Sequence, residues 1–201
     1  VSAAEAAATV LELEAFGGEA FQIQGDLADP DIAAGLVAEA AALAGRPLDI
    51  LINNASVFAP GSAHDTTVDQ WDRNQAINLR APWLLSRAFA GQIPVGGSGN
   101  IINLNDFRAV RPGPDHFAYT VSKTGLHGLT RSLALALAPT VRVNELALGA
   151  GLAPETAPED YIHTLRDQIP TRRFPSLDEV THGMLFLLDN RGVTGQTLYI
   201  D

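Results

Sequence analysis

The chain contains no cysteine, which excludes disulfides, zinc–thiolate sites and thiol catalysis. It also lacks any apolar run near the ~20 residues that span a bilayer. Its Ala/Glu-rich start, Ser2-Ala3-Ala4-Glu5, has none of the basic-then-apolar pattern of a secretory signal, so the expectation is a cytoplasmic protein. Positive charge is scarce: 13 Lys and Arg against 23 Asp and Glu give a formal net charge of −10. That balance argues against nucleic acid or an anionic membrane surface as partner, since both would repel it. What remains is 201 residues, 46% hydrophobic and 18% charged, a globular composition with enough chain for one sizeable core.

Helix and strand patterns alternate along the chain. Residues 2–16 are rich in Ala, Leu and Glu and stop at Gly17-Gly18, a helix with a C-terminal glycine signal. Residues 20–24 read as a short strand ending at Gly25-Asp26, and 31–44 as a helix closed by Gly45. Residues 48–54 form a nearly continuous apolar run, as expected of a strand covered on both faces. A long helix is expected over 68–90, a strand over 100–105, a helix over 116–137 and a strand over 141–146. Helices near 158–168 and 177–189 then precede a last strand at 196–200. This alternation predicts a single α/β domain over 1–201, with a doubly wound parallel sheet between two helical layers.

In such a sheet, ligands sit outside the carboxyl ends of the strands. That rule selects Asp26-Leu27, the run from Asn53-Asn54-Ala55-Ser56 to Phe58, Asn105-Asp106 and the segment Leu148-Gly149-Ala150-Gly151. Tyr119 and Lys123 are four residues apart at the start of a helix, so they share one face. A cation there favours phenolate and should lower the tyrosine pKa toward the range of an acid–base catalyst. Asn78 falls in mid-helix, where an amide is a poor helix former. Each residue also has an ordinary reading: strand-end Asp and Asn as turn residues, glycines as backbone devices, Phe58 as packing. The five histidines, His64, His116, His127, His163 and His182, do not cluster and read as structural or surface residues.

The ordered set Asn53-Asn54-Ala55-Ser56, Asn78, Tyr119-x-x-x-Lys123, Val143-Asn144 and Val193-Thr194-Gly195-Gln196 resembles the short-chain dehydrogenase/reductase family across essentially the whole chain. The resemblance implies a Rossmann-like fold and hydride transfer between a nicotinamide cofactor and a carbonyl, alcohol or C=N group. It makes Tyr119 the proton donor, and has Lys123 lower its pKa and hold the nicotinamide ribose. Asn78 becomes the anchor of a relay water. Asp26, Leu27, Asn54, Ala55, Ser56 and Gly149 become cofactor contacts, with Asp26 at the adenine. Asp106 stands where the family usually has Ser, thirteen residues before the Tyr. A carboxylate there would repel a developing alkoxide but suits a nitrogen heterocycle. With Ser56-Val57-Phe58, this resembles the pteridine reductases, in which the Phe stacks the pterin. The implied activity is NADPH-dependent reduction of a pterin-like C=N bond, with NAD the less favoured cofactor. Another carbonyl reductase, for example of 3-oxoacyl groups, and a non-catalytic oligomer-forming relative are the alternatives. The family's usual homotetramer would use the helices at 68–90 and 116–137.

The Gly-rich turn that receives the pyrophosphate in this family has no counterpart in the sequence. The expectation is therefore a fragment carrying strands three to seven of seven, short of about 30–40 residues of β-α-β and cut slightly at its C-terminus. In the family's order, 3-2-1-4-5-6-7, two strands would separate 20–24 from 48–54. Residues 20–24 should then be displaced or unusually paired, with apolar edge surface left exposed.

Overall fold

The computed structural model describes residues 2–149, 164, 166, 167 and 169–201. The expected helix near 158–168 falls largely outside the described residues, as do Gly151 and His163. Four strands, β1 (Ile50–Asn53), β2 (Gly99–Asp106), β3 (Val141–Leu148) and β4 (Thr197–Ile200), form one sheet in the order β1-β2-β3-β4. All three pairings are parallel, with Asn53 opposite Asn103, Asp106 opposite Leu148, and Leu148 opposite Ile200. The carboxyl ends of the strands therefore share one rim, which gathers the residues of interest.

Helices α1 (Ala3–Ala15) and α2 (Pro30–Ala44) precede the sheet. Between β1 and β2 the chain makes α3 (Val68–Gln75), a π-helical turn (Ala76–Arg80) and α4 (Ala81–Gln92). Helix α5 (Phe117–Leu137) links β2 to β3, and α6 (Leu177–Asp189) leads into β4. Local chemistry sets the starts: Thr67 with Gln70, and Ser176 with Glu179, form capping boxes, each satisfying orphan amides. Asp29 caps α2 ahead of Pro30, and Gly45, at φ 64°, closes it.

Alternate residues of the central strands feed two apolar clusters. Ile101, Val141 and Val143 pack with Phe89 of α4 and Leu133 of α5. Ile102, Leu104 and Leu146 pack with Leu187 of α6. Both faces of β2 and β3 are thus covered, and their polar residues Asn103, Asn144 and Glu145 are fully buried with the apolar ones.

Three expectations are corrected. Residues 20–24 form no strand; with no neighbour to supply a ladder, their backbone gains nothing from extended pairing. The strand expected at 48–54 is only Ile50–Asn53. It is the edge of the sheet, so Ile50 and Ile52 stay exposed rather than covered on both faces. The single helix expected over 68–90 is interrupted by the π turn centred on Asn78, a feature that often accompanies functional sites. Among the described residues no helix is long and apolar enough to cross a membrane.

Candidate active site

β2 ends at Asp106, whose carboxylate is used twice. One oxygen accepts from the backbone N–H of Arg108 at 2.8 Å, opening a 3-10 turn at Phe107–Ala109. The other accepts the Tyr119 hydroxyl at 2.7 Å. Tyr119 lies in the first turn of α5, whose buried face also carries Ser122, Lys123, Leu126 and Thr130. Asn105 ties this turn to the strand by donating to the Lys123 carbonyl at 3.1 Å. Lys123, the only lysine in the chain, donates to the Leu104 carbonyl at 2.9 Å. Its ammonium is 5.7 Å from the centre of the Tyr119 ring.

This geometry corrects the expected electrostatics. The Tyr119 pKa is raised, not lowered: burial comes first, followed by the negative field and hydrogen bond of Asp106, with Arg108 opposing them. The carboxylate, rather than the ammonium, meets the phenol oxygen. Lys123 itself is pulled down to about 8 by burial, with Asp106 and Glu145 opposing the fall. The phenol is therefore held protonated, and the amine remains mostly cationic at neutral pH.

Asn78 is nearly fully buried. Its carbonyl oxygen accepts from the Val57 N–H at 2.9 Å and from the Ser56 hydroxyl at 3.2 Å. Its amide donates to the Val57 carbonyl and to the Ser122 hydroxyl, both at 3.0 Å, with Asn74 more distant at 3.4 Å. The side chain is thus committed to protein partners. It acts as a clamp joining loop 54–58 to α5.

That clamp delivers Phe58 to the rim. The Phe58 ring meets Tyr119 edge-on at 4.6 Å and stacks on His116 at 3.8 Å with an 8° interplanar angle. His116, expected to be structural or surface, is therefore part of this site. Its Nδ1 lies 2.8 Å from Asp115, and Asp115 accepts both ends of the Arg108 guanidinium fork at 2.7 and 3.1 Å. The Arg108 hydrogen bond, aided by His116, holds the Asp115 carboxyl far below the usual carboxylate range against the opposing effect of burial. Sequence reasoning missed all three residues. The available signal was an Asp-His pair just ahead of Tyr119, following Gly113, where a Cβ would come within 2.8 Å of Asp115 and 2.9 Å of Arg108.

The remaining predicted residues divide. Asn54, Ala55 and Ser56 are exposed on the loop leaving β1. Gly149 follows β3 and its N–H donates to the Ile200 carbonyl at 2.9 Å; a Cβ there would lie 2.6 Å from Asp201, so the close approach of the two strand ends requires glycine. Asp26 accepts from the Ala28 N–H at 3.0 Å and sits 3.9 Å from Arg73. Leu27 packs against the cluster of Ala33, Ala81 and Leu84, which anchors this segment.

Known proteins resemble this chain along its whole length. A family model described as Enoyl-(Acyl carrier protein) reductase matches residues 1–201. An uncharacterized oxidoreductase of Thermotoga maritima is 33% identical over 204 residues, covering 96% of this chain and 80% of that protein. Human dehydrogenase/reductase SDR family member 4 is 42% identical over 116 residues, 57% of this chain and 41% of that protein. Among solved structures, FolM alternative dihydrofolate reductase 1 from Brucella canis, complexed with NADP, superposes with a TM-score of 0.93 at 33% identity. That match covers 100% of this chain and 79% of the other.

Proposed function

The chain belongs to the short-chain dehydrogenase/reductase family, and from that premise we propose that it is an NADPH-dependent reductase of a pterin-like C=N bond. The observation that carries this reading is the 2.7 Å hydrogen bond from Tyr119 to Asp106, with the Phe58 ring edge-on to the same phenol. The site joins an acceptor carboxylate, a proton-bearing phenol and an aromatic wall. A ring with N–H donors satisfies the carboxylate, whereas a developing alkoxide would be repelled by it.

The residues present suit a nicotinamide cofactor. One N–H of Lys123 goes to Leu104; among the described residues the other two are free for hydroxyl acceptors, such as those of a ribose. Asn54, Ala55 and Gly149 would line the cofactor on the same rim. When bound, NADPH supplies the hydride that adds to the ring carbon. Tyr119 gives its proton to the adjoining nitrogen, which becomes strongly basic as it receives the electron pair. Its raised pKa keeps the phenol loaded until such an acceptor is present. Asp106 orients the hydroxyl and takes up N–H groups of the ring. The reading extends to a homotetramer built on the exposed faces of α3–α4 and α5, where Trp83 and Leu135 stand out; sedimentation would measure it.

NADPH oxidation with dihydrobiopterin or dihydrofolate, set against an acetoacetyl thioester, tests the activity. Wild type should turn over the pterin in preference to the thioester. Tyr119→Phe should lower kcat by about 10²–10⁴-fold, and Phe58→Ala should raise KM for the pterin alone. Thioester turnover indifferent to Phe58→Ala would replace this reading with an ordinary carbonyl reductase.

A further inference from the structure

Phe58 is the least constrained part of the site. It lies on a loop without regular secondary structure, and its ring is more than half exposed. An aromatic ring there has a choice of rotamers unless something fixes it. Its neighbours form an ordered series. Arg108 grips Asp115 with two hydrogen bonds, Asp115 holds Nδ1 of His116, and the imidazole lies flat on Phe58 at 3.8 Å. The Arg108 guanidinium carbon is itself 5.9 Å from the Phe58 ring centre, within cation–π range. His116 sits at φ 51°, ψ 47°, the left-handed region that few residues other than Gly occupy, Asn, Asp and His the most often among them. The next amide, Phe117 N–H, donates to Gly61 at 2.8 Å, joining the start of α5 to the loop that bears Phe58.

We propose that His116 is a positioning residue for substrate selection: backed by Asp115 and Arg108, it fixes the Phe58 ring beside Tyr119 so that a flat heterocycle meets a preset aromatic wall. The proposal rests on the pterin reading for its substrate class, and on the stack alone for its mechanism.

Steady-state kinetics of His116→Asn, His116→Phe, Phe58→Ala and the His116→Asn/Phe58→Ala double variant test it. Asn tolerates the left-handed backbone and removes the ring, whereas Phe keeps the ring and loses the Asp115 contact. An aromatic pair contributes enough that its loss should raise KM for dihydropterin about 2- to 12-fold. The expected result for His116→Asn is that rise, with kcat and KM for NADPH unchanged, a His116→Phe value between those of wild type and His116→Asn because the ring returns without its Asp115 support, and a double variant no worse than Phe58→Ala. Multiplying effects in the double variant, a His116→Phe KM equal to that of wild type, or a fall in kcat at constant KM would each overturn the proposal.

The same series run with a flat aromatic diketone separates the two readings. If the diketone is reduced and dihydropterin is not, the pterin reading fails while the non-additivity still decides the role of His116. A readout independent of turnover is the proton NMR of the imidazoles, of which the chain has five. One set should be shifted upfield by the Phe58 ring and return on Phe58→Ala. Histidine resonances unmoved by Phe58→Ala would show that no stack forms in solution and sink the idea.

Discussion

Helices α1 and α5 are both rich in Ala and Leu, yet α1 buries no residue while α5 buries nine, among them Tyr119, Ser122, Lys123 and Thr130. The first is held by local chemistry: Ser2 and Glu5 form a capping box, and Ala, Leu and Glu favour the helix intrinsically. The second is held by the sheet, and much of what it buries is polar. A buried lysine and phenol cost stability unless partnered, and here Leu104 and Asp106 are the partners. The difference teaches that propensity makes a helix, whereas a buried polar face marks the place where the fold is spent on chemistry.

The same contrast explains what could be read from sequence. Strands β2 and β3 and helices α2, α5 and α6 were legible because apolar periodicity and caps reflect burial within each segment. The grouping of Asp106 with Tyr119 followed from the carboxyl-rim rule. The direction of the Tyr119 shift was not legible, because it depends on which charge reaches the hydroxyl, and spacing along a helix leaves that open. The π turn at Asn78 was missed because it arises from contacts 21 and 44 residues away, to Val57 and Ser122. His116 was missed because its stack requires a left-handed backbone and a loop returning from Phe58. Residues 20–24 have the composition of a strand, but a strand exists only beside another.

If the centre of the sheet holds the fold, its apolar side chains should carry the largest stability effects. Phe89 is fully buried against Ile101, Leu133 and Val143. Phe89→Ala should lower unfolding free energy by about 3–5 kcal/mol, measured by denaturant titration. A loss below about 1 kcal/mol would mean that the cluster is not close-packed, and the contrast with α1 would collapse.

A somewhat smaller effect should appear in the pH dependence. Burial places Lys123 at about 8, below its ordinary value of 10.5. Between those limits the unfolded chain still holds the proton that the folded chain has released, so stability rises with pH across this window. Below pH 8 the ammonium is buried in full and its cost is undiminished. Relative to Lys123→Met, wild type should therefore gain on the order of 3 kcal/mol between pH 8 and 10.5. Tyr119 acts with the opposite sign, because its pKa is raised: above pH 10 the unfolded phenol ionises while the folded one does not, and stability falls. Tyr119→Phe should remove that falling limb and leave the rise below it. A wild-type curve parallel to that of Lys123→Met throughout would show that the amine is not buried in solution.

The smallest effect belongs to α1. Leu11, Leu13 and Phe16 are all largely exposed, Phe16 most of all. Removing an exposed side chain takes little apolar surface out of a protein interior, so Phe16→Ser should change unfolding free energy by less than about 0.5 kcal/mol. Leu13 and Phe16, three residues apart, share one face, which makes this a sharp test, because side chains that large seldom stand together in water without a partner. A cost above about 1 kcal/mol, or a melting temperature that rises with protein concentration in wild type and not in Phe16→Ser, would show this face covered by a second copy of the chain. Helix α1 would then owe its stability to association, and the distinction between a helix made by propensity and one made by burial would fall.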